Sequence, residues 1–158
     1  MFYYKNDLLS QSEASRSTRM WTSSAFNKMV LKLCVIRDLL LLKYSVLYMD
    51  SDVILFKDPR PALQHYTQYD FVAQRDDEIC AGFMFIQPTR ASYTMITVAT
   101  TLMYMRRIMD QDAIITYTKK KGRVNYTFLP SAQFMSGRDY AITHQFADDH
   151  CRGRRTRV

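Results

Sequence analysis

The sequence predicts an α/β fold, a mostly parallel sheet flanked by helices, and three observations carry that prediction. Short runs rich in β-branched and aromatic residues recur at Val46–Met49, Tyr69–Gln74 and Cys80–Ile86. Helix-length segments lie between and around them. The first run ends abruptly in Asp50-Ser51-Asp52, and polar groups at the carboxyl end of a buried strand are where open α/β sheets bind ligands.

Residues 1–22 open with Phe2-Tyr3-Tyr4, a possible edge strand, and continue as a serine-rich stretch expected to be poorly ordered. Ser23 or Ser24 suits the N-cap of a helix running to about Leu42, with Phe26, Val30, Leu33, Ile36 and Leu40 on one stripe. A turn at Lys43-Tyr44-Ser45 feeds the first strand. A second apolar run, Val53–Phe56, is stopped by Pro59 and Pro61, and Ala62–Tyr66 has room for one helical turn. Tyr69–Gln74 and Cys80–Ile86 are the next strands, separated by the acidic loop Arg75–Glu78. Thr89 or Ser92 can cap a helix from Tyr93 to Ile108, with Met95, Leu102, Met103 and Met105 as core filler. Asp110–Ile115 begins a short helix, Val124–Leu129 reads as a strand, Phe134–Gly137 as a turn and Tyr140–His144 as a last short strand. Only about twenty residues precede the first helix, where a doubly wound sheet normally begins with one or two β-α units. The sheet is therefore expected to be incomplete on its N-terminal side, with residues 23–158 forming a partial domain.

Composition narrows the function. The 158 residues are 47% apolar, enough for one core. The longest apolar runs are far too short to span a bilayer, and the first residues lack the form of a signal peptide, so a membrane anchor is expected only if encoded upstream. Three cysteines, Cys34, Cys80 and Cys151, have neither disulfide-framework nor zinc spacing. The net charge of +7 resides in Lys119-Lys120-Lys121 and in Arg152, Arg154, Arg155 and Arg157. Such an end suits a phosphate-binding segment, a polyanion-binding tail or a solvated terminus. Nucleic acid is not expected as a partner, because no aromatic-basic recognition motif accompanies the charge.

Asp50 and Asp52 are the candidate metal ligands. Two carboxylates about 5 Å apart at an effective dielectric near 20 repel by roughly 3 kcal/mol, which a divalent cation relieves. Oxygen-only ligands suit Mg2+ or Mn2+, which keep positions open for water and substrate phosphates. An Asp-rich turn after a strand would have the same three residues.

A set of elements then falls in a familiar order. The helix containing Lys32 and Arg37-Asp38-Leu39-Leu40, Asp50-Ser51-Asp52 through Asp58-Pro59, Cys80-Ala81-Gly82-Phe83 through Pro88-Thr89, Asp110-Gln111, Leu129-Pro130 with Phe134 and Gly137, and Ala141-Ile142-Thr143-His144 together resemble the nucleotide-diphospho-sugar transferase family, a GT-A-type, Rossmann-like glycosyltransferase family. The resemblance spans about residues 20–157.

That resemblance implies a role for each candidate residue. The D-x-D acids Asp50 and Asp52 would hold Mn2+ or Mg2+ against the donor diphosphate, and His144 would complete the metal shell, with His150 as the alternative. Lys32 would face phosphate or donor sugar, unless it is a snorkelling surface lysine. Gly82 would let the backbone lie close to the donor sugar, or mark a glycine bulge. Asp110 and Gln111 would face the acceptor and the anomeric carbon, Asp110 being the best candidate for contacting the incoming hydroxyl, with a helix N-cap its other use. Asp76 would touch donor hydroxyls or be part of an exposed acidic turn, and Arg154 would clamp the diphosphate. The activity implied is sugar transfer from a nucleoside-diphosphate donor, a UDP-sugar being favoured, to a hydroxyl on a glycan or protein, in the Golgi lumen or another secretory compartment. The glycosylation triplet Asn125-Tyr126-Thr127 suits that compartment. The other expectation is an inactive fragment of the same fold binding polyanions through its basic end. The chain departs from the family at Lys43, where the family has glycine, and at Phe146, where it has asparagine. The family's nucleoside-binding first strand and loop are expected to have no counterpart in the residues that precede the first helix.

Overall fold

A computed structural model describes residues 23–75, 78–120 and 122–136. The expected edge strand at Phe2–Tyr4 and the last strand at Tyr140–His144 lie outside these residues. The first helix, α1, spans Ser23–Leu41, and the first strand, β1, spans Val46–Met49. Val30, Leu33, Ile36 and Leu40 are buried, and Phe26 packs against their cluster, so the stripe read from the sequence is the face α1 turns to the core. The helix closes on Lys43, whose φ is 65°. Lys43 N–H donates to the Leu40 carbonyl at 3.0 Å and Tyr44 N–H to the Leu39 carbonyl at 3.1 Å. This is the Schellman pattern, in which the left-handed residue satisfies carbonyls the helix leaves unpaired.

After β1 the chain turns through Asp50–Ser51–Asp52, and the apolar run Val53–Phe56 forms neither helix nor strand. Ile54 and Phe56 are 76% and 87% exposed. A short helix, α2 (Arg60–Leu63), and one 3-10 turn (Gln64–Tyr66) come next. Then come β2 (Phe71–Arg75), β3 (Ile79–Ile86), α3 (Arg90–Arg106), α4 (Asp110–Thr118) and β4 (Tyr126–Phe128). Thr89 is the N-cap of α3, its Oγ1 accepting from Ser92 N–H at 3.1 Å, so the helix starts three residues earlier than its apolar pattern predicts. Met95 and Met103 are fully buried, but Met105 is 78% exposed and is not core filler. It falls two residues after Met103, on the opposite side of the helix.

The sheet order is β1-β3-β2-β4. β3 is antiparallel to both β1 and β2, and β4 is parallel to β2. Hence β1, β2 and β4 run the same way and β3 alone is reversed. The common direction is the one expected from the sequence, whereas the reversal of β3 makes two of the three pairings antiparallel. The connection between β2 and β3 is too short for a crossover, so β3 can only return beside β2. The carboxyl ends of β1, β2 and β4 and the amino end of β3 therefore share one rim.

Strand alternation divides the core. Val46, Phe71, Ala73, Met84 and Ile86 face the layer formed by α1, α3 and α4, while Leu47, Val72, Phe83 and Phe85 gather with Leu63, Leu129 and Phe134. Asp70 fastens the opposite ends of the strands. Its carbonyl accepts from Gln87 N–H at 2.9 Å and Ser92 Oγ–H at 2.8 Å, and its carboxylate accepts from Asn125 N–H at 2.8 Å.

Lys43 carries a left-handed backbone that costs an L-residue roughly 1–2 kcal/mol, partly offset because glycine loses more entropy on folding. Lys43→Gly should accordingly raise unfolding free energy by about 0.5–1 kcal/mol, and Lys43→Val should lower it. Urea denaturation of the three proteins decides this; a Lys43→Gly variant no more stable than the parent would contradict the strain.

Candidate functional site

The site forms where β1 ends beside the irregular start of β3. Met49 is paired with Phe83, and one step further Asp50 N–H donates to the Gly82 carbonyl at 2.8 Å. Side chains two apart on a strand share a face, so Tyr48 and Asp50 both turn toward α1. The Tyr48 hydroxyl donates to Asp50 Oδ1 at 2.5 Å. Burial first, then that hydrogen bond and the negative charges of Asp50, Asp110 and Asp52, push the Tyr48 phenol well above its ordinary range. It stays protonated and serves as a donor.

On its other side β3 leaves the ladder. Ala73 pairs with Met84, but the next residue, Gln74, pairs with Cys80. Ala81, Gly82 and Phe83 are thus looped out from β2 in a bulge. A bulge strips backbone groups of their strand partners, and buried ones must find others. The Ala81 carbonyl accepts from Lys32 Nζ at 2.7 Å, and Ala81 N–H donates to Gln111 Oε1 at 3.1 Å. Two candidate site residues, one from α1 and one from α4, thereby complete the bulge.

Lys32 is the centre of this arrangement. Its ammonium lies 2.6 Å from Asp110 Oδ2 and 3.7 Å from Asp50 Oδ1, with the Lys32 and Asp110 side chains only 9% and 7% exposed. The Tyr48 ring centroid is 4.3 Å away, within cation–π range. Such burial is inconsistent with a snorkelling surface lysine. Asp110 is the first residue of α4, with Met109 at the N-cap, so the N-cap use considered for Asp110 is not the one observed. Its Oδ1 accepts from Gln111 N–H at 2.9 Å, and an acid in the first turn also suits the helix dipole.

Gly82 is required by Asp50. A Cβ at Gly82 would lie 2.8 Å from Asp50 Oδ2 and 3.4 Å from its Cγ, closer than nonbonded atoms rest. The Asp50 side chain remains 44% exposed, and Asp52 stands on the exposed turn beyond it. Lys32, Asp50, Gly82, Asp110 and Gln111 are thus brought together, with Asp52 alongside on the rim. Among the described residues no group of three histidine, cysteine, aspartate or glutamate side chains is placed to hold a metal. Asp76, His144, His150 and Arg154 lie outside the described residues. Sequence reasoning missed Tyr48 and the Ala81 backbone. Tyr48 could have been found from its place two residues before Asp50 in a strand; nothing in the sequence marks Ala81.

A family model described as nucleotide-diphospho-sugar transferase matches residues 2–154. No curated protein and no solved structure matches the chain.

Breaking a buried ion pair from one side leaves an uncompensated charge, typically at about 3–5 kcal/mol. Lys32→Met should cost that much in chemical denaturation, and the double variant Lys32→Met/Asp110→Asn should recover a large part of it. A double variant as unstable as the single one would show that the charge on Asp110 is not what Lys32 compensates. Gly82→Ala should leave the helices folded, by circular dichroism, but displace the Asp50 carboxylate, visible as chemical-shift changes at Asp50 and Tyr48 in NMR spectra. Unchanged shifts there would refute the close contact.

Proposed function

The chain belongs to the nucleotide-diphospho-sugar transferase family, and from that premise we propose that it transfers a sugar from a nucleoside-diphosphate donor to a hydroxyl acceptor with a divalent cation at Asp50 and Asp52. The observation that carries the metal assignment is the state of Asp50. Its carboxylate sits half exposed at a strand's end, one oxygen held by Tyr48 and the whole group backed by the buried Lys32 ammonium. A carboxylate so fixed, with a second acid two residues on, fits Mn2+ or Mg2+, ions that take one or two protein carboxylates and fill their remaining positions with water and phosphate. When bound, the cation supplies Lewis-acid stabilisation of charge on the departing diphosphate.

The chain's own residues have the remaining roles. In the transfer, the bond from the anomeric carbon to the diphosphate oxygen breaks, a bond to the acceptor oxygen forms, and the acceptor's proton is released. Gln111 accepts from the Ala81 N–H through its side-chain carbonyl oxygen, which leaves its amide NH2 as the group that would meet the sugar and the incoming hydroxyl. Asp110, expected from the family resemblance to contact the incoming hydroxyl, is instead ion-paired to Lys32 and buried, and its part is to fix the first turn of α4 so that Gln111 keeps its position. Lys32 neutralises Asp110 and Asp50 from behind, holding two acids at close quarters while a polyanionic donor approaches. His144 as a third metal ligand, Arg154 at the diphosphate and Asp76 at the donor sugar extend the same assignment. The donor is a UDP-sugar, the acceptor a glycan or protein hydroxyl, and the compartment the Golgi lumen or another secretory space. No helix among the described residues is long and apolar enough to cross a membrane.

Thermal melting with a nucleoside diphosphate, with and without Mn2+, tests this. A ligand at a hundredfold excess over its Kd stabilises the folded state by about 2.7 kcal/mol. That rise should require both nucleotide and metal and should vanish in Asp50→Asn and in Asp52→Asn. Wild-type protein that gains nothing, or that is stabilised equally by any polyanion without metal, would rule the assignment out.

A further inference from the structure

We propose that Tyr48 is a positioning residue of the metal site, setting which oxygen of Asp50 is offered to the cation. The proposal rests on the metal-assisted transfer proposed for this site, and it concerns a residue to which the family resemblance gives no role. Both polar neighbours of the Asp50 carboxylate on the α1 side lie at the same atom. The Tyr48 hydroxyl donates to Oδ1 at 2.5 Å and Lys32 Nζ is 3.7 Å from Oδ1. Oδ2 takes part in neither contact and lies over Gly82, where a single methyl group would collide with it. Asp50 is thereby held by one oxygen and presented by the other, as a monodentate ligand of fixed direction.

Tyr48 can do this because its own ring is fixed twice. It packs against the helix-side core, and its face lies 4.3 Å from the Lys32 ammonium. A phenylalanine would fill the same core space and keep the cation–π contact. What it would lack is the hydroxyl that stops the Asp50 carboxylate rotating about its last bond. Hydrogen-bonded partners of ligating groups commonly contribute about 10–100-fold to metal affinity, and they do so by removing freedom the ligand would otherwise lose on binding.

Mn2+ titration followed by electron paramagnetic resonance, at saturating nucleoside diphosphate, reads the effect without any turnover. Tyr48→Phe should bind Mn2+ at least about tenfold more weakly than wild type, while its melting temperature without metal moves by no more than about 4 °C. Replacing Tyr48 with p-aminophenylalanine, which restores a ring-borne donor, should return affinity to within a few-fold of wild type. This variant also carries the test by itself should Tyr48→Phe fail to fold. Equal affinity in wild type and Tyr48→Phe would overturn the role of Tyr48 while leaving the metal site standing, as would tenfold-weakened binding in the p-aminophenylalanine variant. Absence of Mn2+ binding by wild type would remove the metal site and the role of Tyr48 together.

Discussion

The ion pair between Lys32 and Asp110 is the interaction on which this architecture most depends. It joins the middle of α1 to the first turn of α4, and the same ammonium reaches the backbone of β3 at Ala81. Three elements distant in sequence meet at one nitrogen. Burying both charges is costly, and in many proteins an apolar pair of equal volume would be at least as stable. The arrangement makes sense if the purpose is placement: an ammonium locked between Asp110 and Asp50 lets a second acid stand at the rim without driving the first away. Stability and the placement of Asp50 are coupled here through a single side chain.

The bulge in β3 is the geometric counterpart of that charge. By leaving the β2 ladder over Ala81, Gly82 and Phe83, the strand opens space for the Asp50 carboxylate above Gly82 and releases the Ala81 peptide groups to Lys32 and Gln111. The Lys32 and Gln111 side chains are tied to a rigid backbone, which makes a site more exact than one built on loops alone. Bulges recur next to active sites for this reason. Gly82 therefore serves the carboxylate within the protein, in addition to any close approach of a sugar.

Much of this was legible in the sequence, and the residues show why. The apolar stripe of α1, the run Val46–Met49 and the alternation of strands and helices are local patterns, and local patterns predict local structure. Asp50, Gly82, Asp110 and Gln111 could be singled out because turn chemistry, a glycine within a strand and the family's order of motifs all left marks. Pairing is what the sequence does not record. That Lys32 is buried against Asp110 depends on how α1 crosses α4, and a lysine on an amphipathic helix has the same local appearance whether it faces solvent or an acid. The reversed direction of β3 was within reach, since the short link from β2 leaves no length for a crossover, but the run Cys80–Ile86 by itself has no direction. Tyr48 escaped notice because an aromatic residue in a buried strand needs no explanation until its hydroxyl is placed against a carboxylate. Met105 erred the other way, an apolar residue in an apolar segment that points outward.

The looped-out stretch of β3 also sets how this part of the chain can change over time. Its purpose depends on the number of residues between Cys80 and Met84 as well as on their identities, since Ala81 and Phe83 are buried in the two halves of the core and Gly82 leaves room for Asp50. Loss or gain of one would rotate Phe83 off its packing partner Phe134 and carry the Ala81 peptide away from Lys32 in the same step. A change of length here would therefore undo the ion pairing, the backbone contacts and the aromatic packing at once, whereas a substitution touches one of them.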